Sequence, residues 1–422
     1  MRGAGLFLLA AAACASAQSP ADSCRDTRAA RQPEDLERSA ERHAQAIMLD
    51  PRNARALLER GVCLERLARY EAALSDFNAA VVADPNLAQA RIDRARLSAR
   101  LGRFDNALGD YDEAVRLDPG SVDARIGRGE ALAAARRHRE ALEEFNAALR
   151  AAPRSVAALQ GRGSSHAMLD EIEPAVRDFD AALSIDAAFA PALLGRGEAH
   201  ARAGRHAEAV RDYTAFLALR PTDAYGRFRR GMSLARLGEA QKGIEDLGEA
   251  IRLEPRMISA YVERGRLLAR GGDAERAISD FSEAIALAPK YAPAWRFRGM
   301  ALYRQGQHER ALADLAQALN LDAKDVIARN ELAWLLATSP RSGVRDGKLA
   351  LDLARTAAEQ SGWKNPGLLD TYAAALAETG SFAEAAKWQQ QALDLPDFPK
   401  DAREQALRRL ELYKAGRPFR TE

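Results

Sequence analysis

Residues 258–290 read ISAYVERGRLLARGGDAERAISDFSEAIALAPK, and residues 292–324 read APAWRFRGMALYRQGQHERALADLAQALNLDAK. With the two laid together, Gly265 falls on Gly299, Ala277 on Ala311, Phe281 on Leu315 and Ala284 on Ala318, a displacement of 34 residues each time. The same displacement runs outward along the chain. Pro51, Pro85, Pro119, Pro153, Pro221, Pro255 and Pro289 keep it, with Ala187 in the one place that lacks a proline. Gly61, Ala95, Gly129, Gly163, Gly197 and Gly231 lead into Gly265 and Gly299 as one small-residue column. Ala73, Ala107, Ala141, Ala175, Ala209 and Gly243 form a second, and Ala80, Ala114, Ala148, Ala182, Phe216 and Ala250 a third, in which only Phe216 is large. Between these lies a column of plugs: Phe77, Tyr111, Phe145, Phe179, Tyr213, Leu247, Phe281 and Leu315.

Each column has a physical reason. Small residues inside a first helix and early in a second allow two antiparallel helices to approach closely, and the large side chains fill the space beside them. Proline then ends the second helix, because it has no N–H to donate to a helical bond. Gly102, Gly204, Gly238, Gly272 and Gly306 mark the turn between the two helices.

This pattern resembles the tetratricopeptide repeat in period, small-residue columns, aromatic column and proline. The resemblance implies an all-α fold, a right-handed alpha-solenoid superhelix of antiparallel helix pairs with a continuous concave groove. It covers eight units over residues 54–325. The early aromatic of the first helix is kept at Tyr261 and Trp295 but replaced at Arg91, Arg125 and Arg227. Ahead of the array, residues 18–53 read as a helical cap, with one helix from Pro33 to Asp50. After it, residues 326–398 read as two divergent units, the first with a widened turn through Gly343, and residues 399–422 as a capping helix and tail. This closing block is similar to one that ends many bacterial tetratricopeptide proteins. Its last helix is expected to lay Leu407, Leu410 and Tyr413 over the final apolar face, which would otherwise stay wet.

Charge and composition narrow the function. Charged residues make up 29% of the chain and nearly cancel, leaving +2, so no broad basic field exists for nucleic acid or an acidic membrane. Arg2, the apolar run Leu6 to Ala13 and Ala15-Ser16-Ala17 read as a signal peptide over residues 1–17, cleaved before Gln18. The apolar run is shorter than the ~20 residues that span a bilayer, and no later segment reaches that length, so no membrane insertion is expected after cleavage. The alternative is a lipid anchor through Cys14, against which stands Ala11 in place of a branched apolar residue. The expected location is the periplasm or the exterior. There, Cys24 and Cys63 are a possible disulfide.

No catalytic motif is present: no CxxC, HExxH, GxSxG or phosphate loop. Gly127-Arg128-Gly129 and Gly195-Arg196-Gly197 lie within helices and lack the strand that a dinucleotide fingerprint needs. The six histidines follow the repeat phase, as packing and turn residues do, so no metal or cofactor is expected. The chain does not read as an enzyme.

Two arginine columns remain. Arg60, Arg94, Arg128, Arg162, Arg196, Arg230, Arg264 and Arg298 are matched in every unit by Asp76, Asp110, Glu144, Asp178, Asp212, Asp246, Asp280 and Asp314. A cation and an anion repeated without exception suggest a charge pair stapling helices, and an arginine ladder for anions is the alternative. In tetratricopeptide arrays the first helices line the concave face. The late position of that helix holds Arg66, Arg100, Arg202, Arg236, Arg270 and Arg304. Such arginines either finish their helices against the dipole or form a basic stripe for a peptide. The candidate peptide-binding residues are Arg202, Arg236, Arg270 and Arg304 with Tyr225, Phe228, Met232, Phe297 and Met300. Glu59, Asp93, Glu130, Glu198 and Glu263 would partly neutralise the stripe. What the resemblance implies is a non-catalytic interaction scaffold of the bacterial envelope that binds a protein or peptide partner. The alternative is a periplasmic chaperone or assembly factor. Nothing in the repeat sets an oligomeric state.

Overall fold

The computed structural model describes residues 32–421, and every regular element among them is a helix: 22 helices and no strand. Helix α1 (Pro33–Leu49) precedes an alternation of first helices of 13 residues and second helices of 14, kept until the last pair, whose second helix has 13. The described residues divide into two compact units, the first ending at Thr222 and the second beginning at Asp223.

In the first unit the pairs are α2 (Ala54–Arg66) with α3 (Tyr70–Ala83), α4 (Ala88–Arg100) with α5 (Phe104–Leu117), and α6 (Val122–Ala134) with α7 (His138–Ala151). They continue as α8 (Val156–Met168) with α9 (Ile172–Ile185) and α10 (Ala190–Arg202) with α11 (His206–Leu219). In the second unit they are α12 (Ala224–Arg236) with α13 (Ala240–Leu253), α14 (Ile258–Arg270) with α15 (Ala274–Leu287), and α16 (Ala292–Arg304) with α17 (His308–Leu321). Then come α18 (Val326–Thr338) with α19 (Gly347–Gln360), α20 (Pro366–Glu378) with α21 (Phe382–Asp394), and α22 (Arg403–Lys414). Within each unit the first helices of successive repeats also touch one another and form a continuous layer.

Local chemistry sets the joints. The turn inside each repeat needs one left-handed residue, and Gly102, Gly204, Gly238, Gly272 and Gly306 supply it with φ between 72° and 86°. Three repeats lack that glycine, and there Ala68, Arg136 and Asp170 adopt the same conformation at φ 58°, 63° and 66°. The tertiary pairing of α2 with α3, α6 with α7 and α8 with α9 holds them there. Between repeats, the residue before proline is forced extended, as at Asp84 (φ −138°, ψ 96°). The same aspartates accept from a backbone N–H two residues on: Asp84 from Asn86 at 3.0 Å, and Asp118 from Gly120 at 3.0 Å.

The core is the column pattern made solid. Phe145 is fully buried and its ring sits between two glycines. A Cβ added to Gly129 of its own repeat would stand 2.8 Å from the ring, and one added to Gly161 of the next repeat 2.5 Å. Phe179 is enclosed in the same way by Gly163 and Gly195. The Gly-Arg-Gly triplets are therefore packing motifs: the first glycine clears the previous repeat's aromatic ring and the second clears that of its own.

The last helix differs from expectation in one position. Leu410 and Tyr413 are buried, but Leu407 is 45% exposed. The buried face of α22 runs through Ala406, Arg409, Leu410 and Tyr413, the three-to-four spacing of one helical stripe, and Leu407 lies off it.

Candidate functional site

The unbroken arginine column pairs inside every repeat. Arg60 Nε donates to Asp76 at 2.7 Å and its Nη2 at 2.6 Å. Arg94, Arg162, Arg230, Arg264 and Arg298 grip Asp110, Asp178, Asp246, Asp280 and Asp314 through the same two nitrogens. Arg196 does so to Asp212, and Arg128 reaches Glu144 at 2.9 Å. The aspartates are 5–8% exposed, so each carboxylate has traded water for a bidentate guanidinium.

The remaining nitrogen reaches back to the second helix of the preceding repeat. Arg94 binds Asn78 at 2.8 Å, Arg128 Asp112 at 2.8 Å, Arg162 Asn146 at 2.7 Å, Arg196 Asp180 at 2.6 Å and Arg298 Ser282 at 3.1 Å. One arginine thus ties three helices. The sequence signal for this second bond was available 16 residues upstream of six of the eight arginines, as Asn78, Asp112, Asn146, Asp180, Thr214 and Ser282, with Ala44 and Gly248 breaking the column.

The second arginine column separates into different roles. In the first unit, Arg202 is occupied: it donates to Asp170 at 2.8 Å and to the carbonyl of Ala167, closing the turn of the preceding repeat. In the second unit, Arg236, Arg270 and Arg304 are exposed. Arg270 reaches its own helix at the carbonyl of Arg266, 3.4 Å away, whereas Arg236 and Arg304 hold no hydrogen bond or ion pair with any described residue.

The apolar candidates separate as well. Phe228 is 7% exposed and packs with Leu247, Ala250 and Ile251, so it is a core side chain and offers no contact area. Tyr225 and Met232 pack at the edge of that cluster and stay partly exposed. Phe297 stacks on Phe281 at 5.7 Å and lies under two guanidiniums, those of Arg296 at 4.5 Å and Arg266 at 5.1 Å.

Met300 opens onto a cavity of about 280 Å³ in the second unit, lined with Tyr303, Asn330, Glu331, Trp334, Asp370, Thr371, Gln405 and Arg409. These come from α16, α18, α20 and α22, three of them first helices. Trp334 Nε1 donates to the Tyr303 hydroxyl at 2.9 Å, which fixes the indole. Arg409 holds Asp370 bidentately at 3.0 and 2.8 Å, and Gln389 donates to the same carboxylate at 2.7 Å. Glu331 is less well served. Arg296 Nη1 stands 3.7 Å from its Oε1, while Arg296 Nε stands 3.2 Å from Asp325.

Burial pushes the Glu331 carboxyl up to about 7, with Arg296 opposing and Asp325 reinforcing the shift. A carboxyl raised in the folded state stabilises below its ordinary value of 4.5, and that contribution is lost as pH rises through about 7. Glu331→Gln should therefore match the wild type near pH 5 and be more stable near pH 8, by up to about 3 kcal/mol. Melting curves of the two proteins that run parallel across that range would contradict this.

Among the described residues, no group of three or more His, Cys, Asp or Glu side chains is placed to hold a metal, and no helix is long and apolar enough to cross a membrane. Cys63 is fully buried against Ser39 of α1, and burial raises its thiol. Its possible disulfide partner Cys24, the signal peptide and Cys14 lie outside the described residues.

Family models described as tetratricopeptide repeat match residues 28–88, 92–156, 161–224, 228–292 and 292–325. Among solved structures, the chain is similar to a tetratricopeptide repeat protein from Parabacteroides merdae at 20% identity and TM-score 0.45, over 58% of this chain and 97% of that one. It is similar to yeast Tom70 at 14% identity and TM-score 0.41, over 90% and 93%. A third is YrrB, described as a TPR protein with an unusual peptide-binding site, at 24% identity and TM-score 0.37, over 44% and 95%. No curated protein matches the chain. The 34-residue period, the helix pairs and the family matches over well more than half the chain agree: this protein belongs to the tetratricopeptide repeat family, as an all-α repeat solenoid whose role is to bind protein or peptide partners.

Proposed function

We propose that this chain is a non-catalytic scaffold of the bacterial envelope, holding an extended partner segment against the first helices of its second unit. The observation that carries the reading is the row Arg236, Arg270 and Arg304, exposed in three consecutive repeats, two of them without a hydrogen bond or ion pair to any described residue. A chain in extended form can meet one guanidinium per repeat, and the partly exposed Tyr225, Met232, Phe297 and Met300 supply apolar contact between them. Arg202 leaves this set because its guanidinium already closes a turn. The envelope placement rests on the Ala15-Ser16-Ala17 cleavage pattern behind an apolar run.

The test is capture of partners from an envelope extract by the tagged full-length chain and by the triple variant R236A/R270A/R304A. The expected result is one or two partners, lost at least tenfold in the triple variant and weakened as salt rises. Circular dichroism should show unchanged helix content. Undiminished capture by the folded triple variant would remove the stripe as the determinant. Capture of many unrelated apolar clients would favour the chaperone alternative. Mass spectrometry of the recovered protein is expected to find Gln18 first, and an acylated Cys14 would establish the lipid anchor.

A further inference from the structure

The cavity bounded by Met300, Tyr303, Asn330, Glu331, Trp334 and Arg409 has a composition that the arginine stripe does not explain. Its two strongest charges are spent on each other. Arg409 and Asp370 form a bidentate pair, and the Arg409 guanidinium is covered by the rings of Trp334 at 5.3 Å and Phe419 at 5.4 Å. Two acceptors on successive residues are left over. Asn330 Oδ1 and Glu331 Oε2 are both buried and accept no hydrogen bond from any described residue. Arg296 approaches Glu331 only at 3.7 Å and divides its charge with Asp325, and its buried Nε makes no hydrogen bond. Arg304 acts on Glu331 from the exposed end of α16. Counting only the groups around the cavity that are largely buried, three carboxylates (Asp325, Glu331, Asp370) face two guanidiniums (Arg296, Arg409).

Above about pH 7, where Glu331 is ionised, an anion entering here would meet its carboxylate. An apolar group would leave both acceptors buried without donors, at the cost that unsatisfied polar groups carry. A planar cation supplies several donors at once, and the terminal torsions of Asn330 and Glu331 are soft enough to turn both acceptors toward it. Its flat face suits the aromatic walls, because Trp334 is fixed by Tyr303 and already stacks on one guanidinium. About 280 Å³ holds one long side chain and has no room for a helix.

The chain's own carboxy-terminal segment shows that the neighbouring surface accepts this chemistry in extended form. Thr421 N donates to the Thr338 carbonyl at 2.9 Å, the Phe419 ring lies 5.9 Å from that of Trp334, and Arg420 pairs with Glu378 at 2.5 Å. We propose that the cavity is a recognition pocket for an arginine side chain of an extended partner segment, with Asn330 and Glu331 accepting from the guanidinium and Met300, Tyr303 and Trp334 forming the walls. This deepens the scaffold reading and rests on it, and it adds a basic residue to what the partner must carry.

The test uses the full-length chain with ¹⁵N-labelled tryptophan, the Trp334 indole signal being identified by its absence in Trp334→Phe. N-acetyl-argininamide is titrated, with N-acetyl-citrullinamide, its uncharged isostere, as comparison. The expected result is a saturable shift of the Trp334 signal by the arginine compound, at least tenfold weaker with citrulline and at least tenfold weaker in Glu331→Gln. Met300→Lys, which places a cation in the pocket, should abolish the response and serves if Glu331→Gln fails to fold. Equal shifts by the two compounds, an unchanged titration in folded Glu331→Gln, or no saturation with the arginine compound overturns the pocket. Partner capture separates this from the scaffold reading. A chain that captures its partner but shows no argininamide response loses only the pocket. One that responds but captures nothing keeps the pocket and counts against the scaffold.

Discussion

Arg196→Ala is expected to destabilise the first unit by about 2 kcal/mol, while Arg202→Ala, six residues later on the same helix, costs less than about 1 kcal/mol. The difference lies in what each arginine leaves behind. Removing Arg196 strips Asp212 of its bidentate partner in a position 6% exposed, and it also frees Asp180 of the preceding repeat. A wholly buried pair broken in this way costs about 3–5 kcal/mol, but the Arg196 side chain is 24% exposed, so solvent recovers part of the loss. Arg202 faces Asp170, whose side chain is 71% exposed and is hydrated readily once the arginine is gone. In a repeat array the loss falls first on the affected repeat and its neighbours, so hydrogen exchange over α10 and α11 is the sensitive measurement beside a thermal melt. Equal and negligible effects from the two variants would refute the three-helix staple.

Phe145→Ala should cost about 4 kcal/mol, the upper part of the range for a large aromatic removed from a closed core. The ring is fully buried and touches two repeats, since Gly129 and Gly161 both close on it. The complementary change is informative. Gly161→Ala in the native background places a Cβ 2.5 Å from a rigid ring, which nothing can relieve without moving α8, and overpacking of that kind costs about 1–3 kcal/mol. In the Phe145→Ala background the clash is gone, and the alanine then contributes its helix propensity, up to about 1 kcal/mol over glycine. A double-mutant cycle should therefore show a coupling of about 2 kcal/mol or more. Additive costs would mean that the glycine is not there for the ring.

These two results concern features that the sequence displayed openly. The small-residue, plug and proline columns identify the helix pairs because close packing leaves each position only one admissible size. The in-repeat arginine–carboxylate pairing followed from two columns without exceptions. The same reading placed Phe228 among groove residues, because its spacing next to Tyr225 and Met232 looked like a contact surface. The structure turns that ring inward onto Leu247 and Ile251. Arg202 likewise matched Arg236, Arg270 and Arg304 in phase, but only its repeat offers Asp170 and the Ala167 carbonyl to take up the guanidinium. Leu407 was assigned to the covering face by its apolarity, yet the helical stripe that meets the core passes through Arg409.

The sequence alone determined the repeat, its length, its helix pairs and its interior staples, since each depends on contacts at fixed separation that recur in every unit. Tertiary structure alone decided which groups of the divergent carboxy-terminal block meet: Trp334 with Tyr303, Arg409 with Asp370, and the Phe419 ring laid against both Trp334 and Arg409. Those partners are 31, 39, 85 and 10 residues apart in the chain, and none is repeated. A periodic pattern fixes what every repeat must share. A contact made once is fixed only by where the helices come to rest.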